Sequence, residues 1–568
     1  MTNSAKRQTN ETLRKDMWRA CDILRRDNNV GGVMEYTEHL AWLLFLKFLD
    51  EEEKKSFLSI KYKPVIPTYL AWDQWAGTKA VHKWEADELI QFVRGRLLPG
   101  LAALNGSRLA DTIARIFSDE SVGHLNVVRN LPVCASGHNL KEVLLIINSM
   151  RFDSDDDIYT ISKVYEDLLE RMGNENRSAG EFYTPRPVIR FMVEVIDPQI
   201  GETVYDPAAG SAGFLVEAYS LLKPKVQTKE QRDILQHQTF FGQEKKGFSA
   251  LLGTMNMVLH GAFQDIRRVN TLEEDMTANV SQQYDVILTN PPFGGKEGKH
   301  IQKNFPVSVN ATELLFMQHI IKKLKQSPTK ARAALIVPEG TLFRSGAFAK
   351  VKKELLEQFH LFAVVSLPIG TFAPYSDVKT AILFFQRPDE IWRHNPHARH
   401  ETWYYELPLP EGVHRFSKGR PIQDEHLAEA RQMWQQWRAY LRGETGRPFE
   451  YAANIEARWR VHHAWEAYRN NKTGKVKRPE AKPTDTPVVR SAHATEGPRP
   501  REACTSWVEH IDTLREREYD LSARNPNQDK RVIWPHPAEI TARLLEQTRE
   551  FQSLLESLHE KLSNGDLI

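Results

Sequence analysis

Residues 203–215 read TVYDPAAGSAGFL: a short apolar run closed by a carboxylate, a glycine-rich turn, then apolar residues at helical spacing. A glycine-rich turn between strand and helix lets a ligand approach the backbone closely and presents a helix N-terminus to its polar groups. NAD, FAD and S-adenosylmethionine sites all use such a turn. The strict G-x-G-x-x-G spacing is absent, so the turn by itself leaves the ligand class open.

Outward from this stretch the texture repeats. Short apolar runs at Thr239-Phe240-Phe241, Asp285–Leu288, Ala333–Val337, Phe362–Val365 and Ala381–Phe385 are separated by helical stretches. Near-continuous apolar strands with helices between them imply a parallel sheet covered on both faces. The expected core is therefore a doubly wound, Rossmann-like α/β domain, whose ligands sit at the carboxyl ends of the strands. The second run leads into Gly242-Gln243-Glu244, which puts a carboxylate at a strand tip where such folds grip the two hydroxyls of a ribose. Turn and carboxylate together imply a nucleoside cofactor.

A third feature stands at the end of the Asp285–Leu288 run: TNPPFGG, residues 289–295. Two prolines and two glycines continue neither a helix nor a central strand. An amino group conjugated to an aromatic ring is a poor nucleophile, because its lone pair is delocalised. The side-chain oxygen of Asn290 and the carbonyl of Pro291 can each accept one N–H of such an amine, which helps localise the lone pair. Pro291 and Pro292 stiffen these acceptors, and Phe293 offers a ring face for stacking. No strong general base is needed, since the proton can leave after the group has been transferred.

Taken in order, GEFYTPRP (180–187), DPAAGSAGFL, FFGQE, LHGAFQDIRRVNTL, NPPF and PYSDVKTAILFF resemble the motif series of N6-adenine DNA methyltransferases. Specifically, they are similar to the modification subunits of type I restriction-modification systems. The resemblance covers the whole chain, including an N-terminal helical domain and Tyr519-Asp520-Leu521-Ser522 near the end. It implies S-adenosyl-L-methionine as cofactor, with Glu181, Phe182, Tyr183, Thr184 and Pro185 at its methionine end. Asp206, Ala208, Gly210, Ser211 and Gly213 would form its main pocket, and Glu244 would take the ribose hydroxyls. Asn290, Pro291, Pro292 and Phe293 would be the catalytic group that holds the target adenine. Two positions depart from the family pattern. Ala209 and Ala212 stand where Cys and Gly are usual, and Asn270 stands where an Asp commonly binds the cofactor's adenine amine.

The target adenine of a duplex is out of reach unless it is flipped from the stack. No helix-turn-helix or zinc finger is legible, and the formal net charge of +2 does not announce an autonomous DNA binder. The resemblance implies double-stranded DNA as substrate, a separate specificity (S) subunit as the sequence reader, a second copy of this chain, and a restriction (R) subunit as a further partner. Other readings from sequence are an RNA- or protein-directed amino-group methyltransferase, a catalytically dead DNA clamp, and a self-sufficient adenine methyltransferase of another antiphage system. Neither a Walker motif nor a nuclease constellation is present.

A chain of 568 residues with 41% apolar and 26% charged residues is ordinary globular protein, too long for one core. The cysteines, Cys21, Cys134 and Cys504, are far apart and have no metal-binding spacing, so they read as reduced thiols in a cytoplasmic protein. No metal site, signal peptide or membrane span is expected. Leu40, Leu43, Leu44 and Phe48 fall at helical spacing, as do Ile158, Ile161, Val164, Leu168 and Leu169. Ser154 and Asp155–Asp157 read as the cap of the latter helix. The expected organisation is a helical domain over 1–172, the methyltransferase domain over 173–390, and an extension of undetermined fold over 391–470. A flexible linker over 471–503 and a helical, partner-docking tail over 504–568 would follow.

Overall fold

The computed structural model describes residues 10–56, 64–118, 133–150, 184–326, 330–387, 395–456, 464 and 505–526, apart from the single positions 263, 265, 279, 281 and 374. The chain forms two compact units, Met1–Ala452 with Thr505–Arg524, and Ala453–Cys504 with Asn525–Ile568. The described structure lies almost wholly in the first.

The N-terminal region is helical, with long helices at Asn10–Arg25, Val33–Ser56 and Gly137–Ser149. Leu40, Leu43, Leu44 and Phe48 are buried, as their spacing requires, and Trp42, Trp72 and Trp75 fill the same core. Asp27 knots the ends of two helices. Its carboxylate accepts the backbone N–H groups of Ala135 (2.8 Å) and Ser136 (2.9 Å) and the side-chain amide of Asn139 (3.0 Å). The helical region does not have a core of its own: Leu251, Leu252, Met255 and Val258, from a helix that follows the second strand, pack into it. Cys21 and Cys134 are buried and take part in no disulfide among the described residues. The helix expected around Ile158–Leu169 and its cap lie outside the described residues, as does Cys504.

The α/β part is built on a nine-stranded sheet. Its strands are β1 (Val204–Asp206), β2 (Phe240–Glu244), β3 (Ile266–Arg268), β4 (Val286–Thr289), β5 (Arg332–Pro338), β6 (His360–Leu367), β7 (Thr380–Gln386), β8 (Glu401–Glu406) and β9 (Ser506–His510). Their order is β3-β2-β1-β4-β5-β7-β6-β8-β9. The first five pair in parallel, so the carboxyl ends of β1, β2 and β4 lie side by side, as expected of a doubly wound fold.

The expectation of a wholly parallel sheet is corrected at β7, which runs antiparallel to both β5 and β6. Among the described residues of 368–379, between β6 and β7, there is no helix that could cross back over the sheet, and an antiparallel partner needs none. Every residue of β7 is buried, so its apolar run carries no sign of direction.

The boundary expected at 390 does not follow the sheet either. β8 pairs with β6 and β9 with β8, so the stretch read as an extension and the beginning of the expected helical tail continue the same sheet. The helix Ala428–Leu441 covers this end. Its Trp434 ring lies 5.4 Å from that of Phe362, and Trp437 donates its indole N–H to the Phe362 carbonyl at 2.9 Å. The tail helix expected around 537–561 lies outside the described residues. Among those described, no helix is long and apolar enough to cross a membrane.

Trp437 is fully buried. Trp437→Ala is expected to cost about 3–5 kcal/mol, and a chain ended at 390 should lose cooperative unfolding altogether. Urea titration of both proteins, followed by tryptophan fluorescence, checks this.

Candidate active site

The carboxyl ends of β1, β2 and β4 meet at one cleft. At its floor the DPAAGSAGFL turn is fixed almost residue by residue. Asp206 accepts the Ala208 N–H at 3.0 Å, the Gln243 carbonyl accepts that of Ala209 at 2.9 Å, and Glu244 accepts that of Gly210 at 3.0 Å. Thr271 donates its hydroxyl to the Pro207 carbonyl at 2.6 Å, and Asn256 donates its amide to that of Ser211 at 2.9 Å. Gly210 has φ 51°, a left-handed conformation that glycine adopts without penalty. Ala212, the departure noted in the sequence, is also left-handed at φ 62°. Glycine at this position would be free of the strain that Ala212 carries.

Two carboxylates define the electrostatics. Asp206 ends β1 and is 1% exposed. Its Oδ2 is buried and has no hydrogen-bond partner among the described residues. Burial pushes this carboxyl up to about 7, opposed by the nearby Thr289 hydroxyl, which stands outside good hydrogen-bond geometry, and by the Ala208 N–H, with the charge of Glu244 adding to the rise. Glu244 ends β2 and is likewise raised by burial, opposed by the N–H groups of Lys246 and Gly210. Each of its oxygens accepts one of these N–H groups and keeps a further lone pair for a ligand hydroxyl.

Asn290 follows β4 and forms part of the wall of this cleft, with Thr184, Asp206, Ala208, Gly210 and Gly213. It also belongs to the wall of a second cavity, of about 670 Å³, together with Pro291, Pro292 and Phe293. Its amide nitrogen donates to the Thr184 hydroxyl at 2.9 Å, while its Oδ1 is buried without a partner among the described residues. The junction between the two spaces is thus an oriented amide with an unused acceptor. Phe293 is held edge-on by Phe372, with ring centroids 5.6 Å apart and planes at 90°.

Most residues singled out from sequence are brought together here, but not all: Glu244 is bonded to the Gly210 N–H and does not itself line the cleft. Ser211 joins the floor of the cleft, whereas Pro185 is buried at the start of the helix Arg186–Ile196. Asn270 caps the turn Thr271–Glu273, accepting the Leu272 N–H and donating to Glu273 at 3.2 Å, and is not part of the cleft wall. Glu181, Phe182 and Tyr183 lie outside the described residues. The sequence reading missed Phe372 and Tyr375, which line the second cavity from the β6–β7 connection. The signal for Tyr375 was the PYSDVKT stretch, which begins two residues after Phe372. Glu313 was missed as well: it lines the same cavity, is 7% exposed, and leaves Oε2 without a hydrogen bond among the described residues.

Comparison with known proteins agrees with this geometry. The N-6 DNA Methylase family matches residues 155–458, and the HsdM N-terminal domain family matches residues 13–147. The chain belongs to the N-6 DNA methylases, as a methylase subunit of the type I restriction enzymes. It is similar to the type I restriction enzyme EcoEI methylase subunit of Escherichia coli, at 38% identity over 73% of this chain and 81% of that one. The EcoKI methylase subunit of Escherichia coli (strain K12) is 31% identical over 74% of this chain and 75% of that one. A solved chain from work on complex assembly and conformational transition of the type I R-M system is 51% identical. It matches with a TM-score of 0.70 over 98% of this chain and 99% of that one.

The buried carboxyl of this methylase subunit has a consequence for stability. Asp206 rises from 3.8 to about 7, so between these values the folded chain binds more protons than the unfolded one. Its contribution to stability is therefore whole below about pH 4 and is lost as pH rises through 7. Asp206→Asn removes this ionisation cost. Without ligand, the advantage of the variant over the wild type is expected to grow between about pH 5 and pH 8 by roughly 2–3 kcal/mol. Urea unfolding at the two pH values measures the gain.

Proposed function

We propose that this chain is the modification subunit that transfers a methyl group to the exocyclic N6 of an adenine flipped out of duplex DNA. The observation that carries this reading is Asn290, which borders both the cleft and the second cavity and keeps a buried, unpartnered oxygen. When bound in the cleft, S-adenosyl-L-methionine supplies an electrophilic methyl group on a sulfonium. The residues of the cleft fit such a ligand. Asp206 offers a buried carboxylate oxygen to a cationic group, Gly210 leaves the turn open to close approach, and Glu244, at the tip of β2 behind the turn, keeps acceptor capacity for ribose hydroxyls.

In the second cavity Phe293 stacks on the adenine, with Phe372 fixing the ring's tilt. Asn290 Oδ1 and the Pro291 carbonyl accept the two N–H groups of the amine, which localises its lone pair in the direction of attack. The Thr184 hydroxyl keeps the amide from turning. As the new N–C bond forms, nitrogen becomes positive and loses one proton to solvent. Lys296, on the cavity wall, is placed to meet a DNA phosphate. Sequence is read by a separate specificity subunit, two copies of this chain engage the DNA around it, and a restriction subunit joins the assembly. The similarity to a chain studied in the assembly of the type I R-M system supports this division of labour.

Asn290→Ala is expected to bind S-adenosylmethionine as the wild type does and to transfer methyl roughly 10²–10³-fold more slowly. Equal transfer rates for variant and wild type would contradict the mechanism. Thr184→Val keeps the shape but frees the amide, and should lower kcat about tenfold with little change in the KM for DNA. Steady-state kinetics with labelled cofactor separates the two effects.

A further inference from the structure

Beside the base cavity stands a large apolar side chain that the mechanism does not use. Phe343 closes the short helix Glu339–Phe343 and is 57% exposed. Gly340, one turn earlier on the same helical face, lines the cavity, and so does Arg344, the next residue. Val378, across the mouth, is 45% exposed and lines it too. An isolated exposed phenyl ring is unremarkable on a protein surface. One fixed at the rim of a pocket that takes a base from a duplex is different.

The fixation is costly. The Leu342 carbonyl accepts both the ammonium of Lys352 and the N–H of Leu521, the latter at 3.1 Å, and the Arg344 carbonyl accepts Lys352 again at 2.9 Å. Lys352 is 1% exposed, and burial lowers its ammonium to about 8. Leu521 belongs to the Tyr519–Ser522 stretch, which the sequence singled out and catalysis leaves without a role. The turn that delivers it has two consecutive non-glycine residues in the left-handed region, Glu518 at φ 54° and Tyr519 at φ 63°. Asp520 then holds Ser522 through its N–H (2.9 Å) and hydroxyl (2.6 Å), and Tyr404 of β8 donates to the Leu521 carbonyl at 3.3 Å. A buried lysine and two strained residues secure the end of a helix one turn long. The backbone that carries the ring is thereby given a fixed place.

We propose that Phe343 enters the base stack at the position vacated by the flipped adenine. An apolar side chain inserted at a base step offsets the lost stacking and slows the return of the base. The proposal rests on the second cavity being the pocket for the flipped base. It assigns Phe343 to base capture rather than to methyl transfer itself.

The test uses the full chain with its specificity subunit and two duplexes, one with the target adenine paired to thymine and one with it mismatched. A mismatched base costs less to flip. Phe343→Ala is expected to lower kcat/KM about tenfold or more on the paired duplex. On the mismatched duplex it should come within about twofold of the wild type, with S-adenosylmethionine binding unchanged. Phe343→Trp should retain activity on both. A Phe343→Ala protein as active as the wild type on the paired duplex, or impaired equally on both, overturns the proposal. Asn290→Ala serves as the control and should be slowed roughly 10²–10³-fold on both duplexes. If it transfers methyl as fast as the wild type, the base-pocket reading fails, and the role of Phe343 fails with it.

Discussion

A single amide organises this molecule. Asn290 stands at the end of β4 with its nitrogen engaged by Thr184 and its oxygen buried and unused. A buried acceptor without a partner is a debt of about 1–3 kcal/mol that the folded chain carries until a donor arrives. The surrounding structure makes that arrangement stable. β4 is central and fully buried, Pro291 and Pro292 restrict the backbone after it, and the pairing of Gly295–Glu297 with Asn310–Thr312 closes the loop behind it. The backbone that carries the amide is thus fixed before any ligand enters the cavity.

The rest of the fold supplies the two spaces on either side of this amide. The parallel strands β1, β2 and β4 bring a glycine turn and two acidic residues to one end of the sheet, where their charges are costly without a ligand. The connection into the antiparallel β7 supplies Phe372 and Tyr375 to the wall of the second cavity, where Phe372 packs edge-on against Phe293 of NPPF. Beyond them, β8 and β9 extend the sheet and bring Leu521 back against the helix at the cavity rim. Residues more than 200 positions after Asn290 in sequence therefore stiffen the pocket it serves.

The sequence made the chemistry legible and parts of the scaffold illegible, for different reasons. DPAAGSAGFL, FFGQE and NPPF could be read because each position answers to a chemical demand: a turn that admits a ligand, a strand-tip carboxylate, a rigid pair of acceptors. Direction of pairing leaves no such mark, so β7 read like any other buried strand. β3 was not seen because two of its three residues are exposed arginines, and its order comes from pairing with β2. Trp403, Trp434, Trp437 and Trp507 were scattered among charged residues, and only the fold shows them lining one end of a single sheet. Asn270 illustrates the opposite limit. Its place in the motif series suggested a ligand contact, but the side chain is spent on capping its own turn.

The proposed function is that this chain methylates adenine at N6 and relies on a partner to find it. The direct measurement is transfer of labelled methyl from S-adenosylmethionine to duplex DNA, by the chain alone and with its specificity subunit, followed by analysis of the modified nucleoside. N6-methyladenine formed only in the presence of the partner is the predicted result. Label in another base or polymer, or site-specific transfer by the chain alone, would contradict it.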